Sequence, residues 1–527
     1  MKKLILYFFV GCAWMTQTAK GQSPDAVIDV QHYSFNIQLN DATDNIKGKA
    51  DIAVKFLKTP GSFNIGLVKK NSMGKGMTVS GVLENGRSVR YQQNDDAITI
   101  YTKATANTLK TYTITYQGIP SDGLIISKNK FGKRTFFGDN WPNRAHNWLP
   151  CVDEPADKAS VSFTVTAPDH YQVVANGVKG IETALPGQLK ITRWSETAQL
   201  PTKVMVIGVA EFAIDHPKDV DDIPVYTYVF PENAAAGFRS YAVAGEILPF
   251  YIKNIGPYDY KKLANIQSKT IFGGMENAGA IFYSENSVTE KGIESLMAHE
   301  IAHQWFGDAV SEKSFHHLWL SEGFATYLTN YYLESKYGVD SLKALLAEQR
   351  AKIFKFERTG LKPVIDTTVT GDYMLLLNPN SYEKGAWVLH MLRRKIGDGA
   401  FFKGLNTYYL KYRGGNAATA YFMEVMQNIS GQSLQPFFDQ WLRIAGHPDL
   451  TVKWSYDTKT RVVDVMVKQK EGNLYAFPLE ITVDGQPQLI NVTNSVTMLH
   501  IAAGKKAPVI VVDPNVNLLA SFTVIRN

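Results

Sequence analysis

The sequence predicts a multidomain α+β protein in which two β-rich domains flank a mostly helical one. Residues 30–215 alternate polar and apolar side chains as strands do, and residues 447–527 return to that pattern. Between them, residues 225–445 carry apolar side chains at helical spacing. A chain of 527 residues is also too long for one core, and a guide of about 150 residues per domain suggests three domains.

We therefore expect an N-terminal β-sandwich-like domain at 22–215, a mostly helical domain at 216–445 and a small C-terminal β-sandwich at 446–527. The polar stretch Asp215–Ile223 is the predicted linker between the first two. The N-terminal strands are predicted at "YSFNIQLN", "KADIAVKF", "AITIYTK", "YTITYQG", "SVSFTVTAP" and "QLKITRW". The C-terminal strands are predicted at "LTVKWSYD", "VVDVMVKQ", "LEITVDG" and "APVIVVDP". Helices are predicted at 289–309, 317–337, 340–356, 382–396, 398–412, 417–429 and 433–444.

Composition narrows the function classes. The net charge of +6 is small for this length and forms no basic stripe, so nucleic acid is not an expected partner. No stretch beyond the N-terminus is long and apolar enough for a transmembrane helix.

The N-terminus is typical of a secretory signal peptide at residues 1–21. Lys2 and Lys3 precede an apolar run that is too short to span a membrane, and Ala19–Gly21 fits a small-x-small cleavage site. We expect a periplasmic or secreted protein. Lipid attachment at Cys12 is a second possibility, ranked lower because the apolar run before it is short.

Cleavage at that site would leave Cys151 as the single cysteine, so no internal disulfide can form. A metal site rich in thiolates is excluded for the same reason. Any metal must be held by histidines and carboxylates.

The stretch "MAHEIAHQWFGD", residues 297–308, has that donor chemistry. On a helix, His299 and His303 share a face and can reach one ion, while Glu300 points to the neighbouring side, where it can address a bound water. A third ligand is available in "HHLWLSEGFATYLTNYY", where Glu322 lies on a second predicted helix eighteen residues beyond His303. His316 and His317 are alternative ligands, less well placed because they precede that helix.

Two histidines and one glutamate that leave a position for water make up a catalytic zinc site. The sequence thus predicts one Zn²⁺ per chain, with Glu300 as the general base.

With His299 and His303 four residues apart and eighteen residues between His303 and Glu322, the chain resembles the gluzincin aminopeptidases of the alanyl aminopeptidase and leukotriene hydrolase family. Four further segments support the resemblance in the expected order: "LPCVDEPADKASVSFTV", "GGMENAGAIFYSE", "SYEKGAWVLHMLR" and "FFDQWLRIAGHPDL". The resemblance covers nearly the whole chain after the signal and implies a thermolysin-like catalytic domain at 216–445.

The resemblance also implies roles for particular residues. In the substrate-binding segment Gly273, Gly274, Met275 and Glu276, the glutamate would bind the free α-amine of a peptide, and the glycines would let its backbone lie along a strand edge. Tyr382 would donate its hydroxyl to the oxyanion that forms during hydrolysis.

Three departures from the family pattern bear on the substrate. Trp141 occupies the position of a usual Glu or Gln that contacts the amine, and we expect Asp139, two residues away, to reach the pocket in its place. Thr329 stands where many members carry an acid. Larger members end in a helical domain, so we expect a more open cleft here.

The expected function is an exported zinc aminopeptidase that acts on peptides with a free N-terminus. An endopeptidase is the alternative of the same class, because the cleft is expected to be open and the amine pocket is altered. A non-catalytic peptide-binding scaffold is the alternative of a different class. The sequence does not indicate an oligomeric state.

Overall fold

The computed structural model describes residues 26–504 and 506–527. Its N-terminal domain is built from strands: β1 (Ile28–Gln38), β2 (Ile46–Phe56), β3 (Ser62–Gly66), β4 (Gly76–Glu84), β5 (Arg87–Ser88), β6 (Tyr91–Gln93), β7 (Ala97–Tyr101), β8 (Leu109–Ile119), β9 (Leu124–Lys128), β10 (Arg134–Gly138), β11 (Lys158–Pro168), β12 (Gln172–Ala175), β13 (Val178–Lys179), β14 (Thr183–Leu185), β15 (Leu189–Pro201) and β16 (Ile207–Ala210).

Nine of these strands form one large sheet in the order β13-β15-β11-β1-β2-β8-β4-β5, with β14 paired to β15. A second sheet has the order β12-β16-β10-β9, and a third has the order β3-β7-β6. On β1, Tyr33, Phe35 and Ile37 are buried and alternate with more exposed residues, as the period-two pattern requires. The predicted β-rich N-terminal domain is confirmed.

The middle domain combines a sheet with helices. Its strands are β17 (Ala213–Asp215), β18 (Asp219–Val220), β19 (Ile223–Val229), β20 (Leu263–Gln267), β21 (Gly274–Met275), β22 (Ala280–Tyr283), β23 (Val310–Glu312) and β24 (Gly415–Ala417). Its helices are α1 (Ala234–Tyr241), α2 (Ala244–Asn254), α3 (Ile293–His303), α4 (Glu322–Tyr337), α5 (Val339–Glu357), α6 (Gly385–Ile396), α7 (Asp398–Tyr412), α8 (Thr419–Ser430) and α9 (Gln435–Arg443).

The sheet of the middle domain has the order β17-β19-β20-β22-β21, with β18 paired to β19. One face packs on the helices through Ile281 and Tyr283, and the other packs on the N-terminal domain through Ala280 and Phe282. A strand that is buried on both faces lacks polar alternation, which is why sequence periodicity did not predict this sheet. The short strand β21 lies at its edge.

The C-terminal domain is formed by β25 (Asp449–Asp457), β26 (Val462–Gln469), β27 (Phe477–Val483), β28 (Gln486–Val492), β29 (Val496–Ala502), β30 (Ile510–Val512) and β31 (Ser521–Arg526). They make two sheets, in the orders β29-β26-β25-β31 and β28-β27-β30. Val452 and Val465 belong to the same hydrophobic cluster as Trp387 on α6, so this domain shares a continuous core with the helices.

The structure corrects the predicted linker. β17 and β18 both pair with β19, so Asp215, Asp219, Val220 and Ile223 are strand residues of the middle domain's sheet rather than parts of a free connection. The N-terminal domain therefore ends before Ala213, and not at 215. The predicted helix at 289–309 is shorter than expected, since α3 ends at His303.

The predicted signal peptide at 1–21, with Cys12, lies outside the described residues, so export stays a prediction. Across the described ranges, none of the helices has the length and apolar character needed to cross a membrane.

A buried ion pair joins the first two domains. Lys203 and Glu312 lie 2.6 Å apart between Nζ and Oε1, and their side chains are 1% and 0% exposed. We predict that Lys203→Met, which leaves Glu312 buried without its cation, lowers the free energy of unfolding by about 3–5 kcal/mol. Urea unfolding checks this. The double variant Lys203→Met/Glu312→Leu should recover part of the loss, and a single variant as stable as wild type would contradict the prediction.

Candidate active site

Two helices bring the predicted metal ligands together. His299 and His303 are one turn apart on α3, and Glu322 is the first residue of α4. The two Nε2 atoms lie 3.1 Å apart, and Glu322 Oε2 lies 3.3 Å from His299 Nε2 and 3.2 Å from His303 Nε2.

This triangle of donor atoms fits a metal ion. Bonds of about 2.0–2.1 Å in a tetrahedral arrangement place neighbouring donors a little over 3 Å apart, as here. His303 Nδ1 lies 3.1 Å from both the Phe306 carbonyl oxygen and Ser321 Oγ. An N–H donated from Nδ1 leaves the lone pair of Nε2 free for a ligand bond, the usual support of a metal-binding histidine.

The alternative ligands are used elsewhere. His316 Nε2 lies 2.8 Å from the Val369 carbonyl oxygen, and His317 Nδ1 lies 2.9 Å from Thr419 Oγ1. Neither histidine joins a group of potential ligand atoms among the described residues.

The predicted base, Glu300, is buried beside the ligands. A Cβ built on Gly274 would lie 2.3 Å from Glu300 Oε1, so the carboxylate packs directly on the α-carbon of that glycine. Burial raises the pKa of Glu300 well above its usual value; the charge of His303 opposes this and those of Glu276 and Glu322 add to it. Such a carboxylate holds a proton readily, as a general base requires.

Tyr382 faces the same donors from a π-helical turn, Asn380–Lys384, which leads into α6. Its ring stacks on His299 with centroids 5.9 Å apart. Burial, followed by the charges of Glu322, Glu276 and Glu300, raises the pKa of its phenol well above 10. The hydroxyl therefore keeps its proton and is available as a hydrogen-bond donor.

Glu276 follows β21, and its carboxylate points into the site without a partner. It is 5% exposed, its Oε1 is buried, and no described residue donates a hydrogen bond to the carboxylate. A buried unpaired carboxylate is costly, so this one is available to pair with a cation that enters the cavity.

Gln304 fixes the backbone around Glu276. Its Nε2 donates to the Glu276 carbonyl oxygen at 2.7 Å, and its Oε1 accepts from Gly279 N at 2.7 Å. Sequence reasoning missed this residue. It follows the second histidine of the motif, but the sequence gives no sign of which loop its amide reaches.

These groups line one cavity of about 250 Å³. Its wall consists of Trp141, Phe272, Gly273, Gly274, Met275, Glu276, Leu296, His299, Glu300, His303, Glu322, Leu377 and Tyr382. Every predicted site residue except Asp139 is on that wall. The wall carries three carboxylates and neither a lysine nor an arginine.

The prediction that Asp139 reaches the amine pocket is wrong. Its carboxylate is fully buried, pairs with Arg144 at 2.7 Å, and accepts from Thr270 Oγ1 and Ile271 N at 3.0 Å. Residues two apart point to the same side only in an extended segment. Here β10 ends at Gly138 and the chain enters a turn at Trp141. Asp139 instead anchors the segment that leads to β21.

Trp141 and Thr329, the two residues that depart from the family pattern, have defined places in the structure. Trp141 does line the cavity, and its ring meets Phe272 and Phe315 edge-on at 6.2 Å. Thr329 is buried one helical turn beyond Ala325 and donates to its carbonyl oxygen at 2.8 Å, so it is used inside α4.

Comparison with known protein families identifies the family of this chain. Residues 29–204 match the Peptidase M1 N-terminal domain, and residues 240–441 match the Peptidase family M1 domain. The two matches together span more than two thirds of the chain. The chain belongs to the M1 peptidase family.

Named relatives agree with that assignment. The chain is 26% identical over 431 residues to the probable aminopeptidase 2 of Sulfurisphaera tokodaii, covering 78% of this chain and 54% of that protein. It is 28% identical over 398 residues to the tricorn protease-interacting factor F2 of Thermoplasma acidophilum, covering 71% of this chain and 49% of that protein. The chain thus spans about half the length of the curated relatives it matches.

A solved structure has the same fold. The aminopeptidase A of Legionella pneumophila, in complex with aspartic acid, superposes with a TM-score of 0.82 at 16% identity. The match covers 96% of this chain and 60% of that one.

The packing of Glu300 on Gly274 gives a structural prediction. Gly274→Ala should move the carboxylate of Glu300 by roughly 1 Å, the gap between 2.3 Å and an ordinary contact distance. Crystal structures of the variant and the wild type measure the shift. Gly273→Ala is the matched control, because its Cβ would meet only Leu296 Cδ1, at 3.9 Å. An unmoved Glu300 in Gly274→Ala would contradict the packing argument.

Proposed function

We propose that this protein is a zinc aminopeptidase that removes residues from peptides with a free N-terminus. The observation that carries the proposal is the unpaired carboxylate of Glu276 in the same cavity as the His299, His303 and Glu322 donors. A divalent ion and the substrate ammonium would together balance the three carboxylates of this cavity, whose wall has neither lysine nor arginine.

The ligand trio fits zinc. M1 peptidases are zinc-dependent enzymes, and two imidazoles with one carboxylate are a donor set typical of catalytic zinc. Bound there, zinc would polarise the scissile carbonyl and lower the pKa of a water molecule.

The residues of the chain then have separate tasks. Glu276 would pair with the ammonium and so place the first peptide bond beside the metal site. β21, as an edge strand, offers backbone groups to an extended peptide, and Gly273 has open space on its α-carbon. Glu300 would take a proton from the attacking water and give it to the leaving nitrogen. Tyr382 would donate to the carbonyl oxygen as it gains negative charge.

We predict one zinc ion per chain that depends on the trio. His299→Ala and Glu322→Ala should lose it. Glu300→Gln should retain it, because Glu300 is not one of the His299, His303 and Glu322 donors; it belongs to a second group of close donors, with Glu276 and His303, which offers only one imidazole. Elemental analysis after extensive dialysis checks the content. Equal metal in all four proteins would show that zinc binds elsewhere.

We predict that Glu300→Gln lowers kcat about a hundredfold or more, as expected for loss of a positioned base. Tyr382→Phe removes only the hydroxyl and should lower kcat by about a hundredfold, as for one oxyanion donor. Steady-state kinetics on an amino-acid amide, with zinc content verified, measures both. Rates near wild type with zinc retained would refute the assigned roles.

The amine contact is tested with matched substrates, one with a free N-terminus and one N-acetylated. Wild type should prefer the free amine, and Glu276→Gln should lose that preference, at a cost of about 2–5 kcal/mol in kcat/KM for the free substrate. Glu290→Gln, which changes an exposed acid outside the cavity, is the control. If wild type cleaves both substrates equally, the endopeptidase alternative replaces the aminopeptidase.

A further inference from the structure

Two segments that are far apart in sequence meet behind the active site. Lys384, the last residue of the turn that carries Tyr382, extends its side chain to the start of the C-terminal domain. Its Nζ donates to the Gly446 carbonyl oxygen at 2.6 Å and lies 3.0 Å from Glu357 Oε1. The side chains of Lys384 and Glu357 are 0% and 4% exposed.

A third ionisable group completes this cluster. His447 Nδ1 contacts the other carboxylate oxygen of Glu357, and its ring stacks on Phe354 with centroids 3.9 Å apart. Glu357 is the last residue of α5. The Lys384–Glu357–His447 cluster therefore ties the Tyr382 turn to α5 and to the beginning of the C-terminal domain.

The opposite side of the turn packs on the helix that carries a metal ligand. A Cβ on Gly323 would lie 2.9 Å from the α-carbon of Gly385 and 3.1 Å from the Ser381 carbonyl oxygen. Gly323 directly follows Glu322. The turn is thus held between α4 on one side and the cluster on the other.

Further contacts hold the C-terminal domain against α5 and α6. Arg350 on α5 lies 3.0 Å from the carboxylate of Asp513, and His390 on α6 lies 3.0 Å from Asn517 Oδ1. A displacement of this domain would therefore be transmitted to the elements that flank Tyr382.

We propose that Lys384 is a positioning residue for Tyr382, and that through it the C-terminal domain sets the location of the oxyanion donor. Apolar residues would fill this buried site at less cost than charges, so the charged cluster indicates a geometric requirement. Lys384 contacts the Gly446 carbonyl oxygen and Glu357, and Glu357 in turn contacts His447. These three contacts fix the turn in a single arrangement. The inference depends on the proposed function, because Tyr382 has this task only in peptide hydrolysis.

The test is a double-mutant cycle on the full chain with an amino-acid amide as substrate. Lys384→Met keeps the length of the side chain and leaves Glu357 paired with His447. It should lower kcat roughly 10- to 100-fold, with KM nearly unchanged, because a small displacement of a catalytic group suffices for such a loss. In a Tyr382→Phe background, Lys384→Met should lower kcat no further, since the hydroxyl that it positions is already gone.

Arg393→Met is the matched control. Arg393 lies on α6, is 8% exposed, and pairs with Glu334 and Asp398 at the far end of that helix. Arg393→Met should reduce thermal stability about as much as Lys384→Met does, while leaving kcat unchanged. This result would separate positioning from general destabilisation.

A near-normal kcat in Lys384→Met, or an equal loss with and without the Tyr382 hydroxyl, would overturn the inference while leaving the proposed function intact. A wild-type enzyme that holds zinc and hydrolyses no amide would overturn the proposed function, and the inference with it. If Lys384→Met does not fold, His447→Gln loosens the same cluster and must show the same non-additivity with Tyr382→Phe.

Discussion

The organisation of this site depends on three carboxylates that are buried together with no lysine or arginine beside them. Glu276, Glu300 and Glu322 share one cavity whose wall has neither lysine nor arginine. Like charges in a low-dielectric pocket repel one another, and burial together with the charges of Glu276 and Glu322 raises the pKa of Glu300. In the proposed function, a metal ion and a substrate ammonium would balance this negative charge.

Close backbone packing at two glycines lets the elements of the site lie this near to one another. Gly274 lets the edge strand lie directly on the carboxylate of Glu300, and Gly323 lets α4 lie against the turn of Tyr382. At both places a single methyl group would occupy space that a neighbour already fills. The sheet of the middle domain, held between the N-terminal domain and the helices, brings β21 to α3 and so closes the cavity.

Much of this could be predicted from the sequence, for identifiable physical reasons. The four-residue spacing of His299 and His303 required only helical geometry, and the order of strand-rich and helix-rich regions followed from periodicity. The expected roles of Glu276 and Tyr382 rest on the family resemblance, because no local sequence pattern distinguishes a single catalytic acid or tyrosine from any other.

Other features lay beyond sequence reasoning. The middle sheet carries no alternation because both of its faces are buried. The expectation that Asp139 reaches the pocket requires an extended strand, but the chain turns there. Gln304 and Lys384 act through contacts with residues 28 and 62 positions away, to Glu276 and Gly446, and such contacts exist only once the chain is folded.

We propose that the cavity recognises a peptide by its ammonium group. Mass spectrometry of a defined peptide mixture digested by the purified zinc-loaded protein tests it most directly. We expect ladders that shorten one residue at a time from the N-terminus, with N-acetylated peptides left intact. Internal fragments, or equal loss of the acetylated peptides, would contradict it.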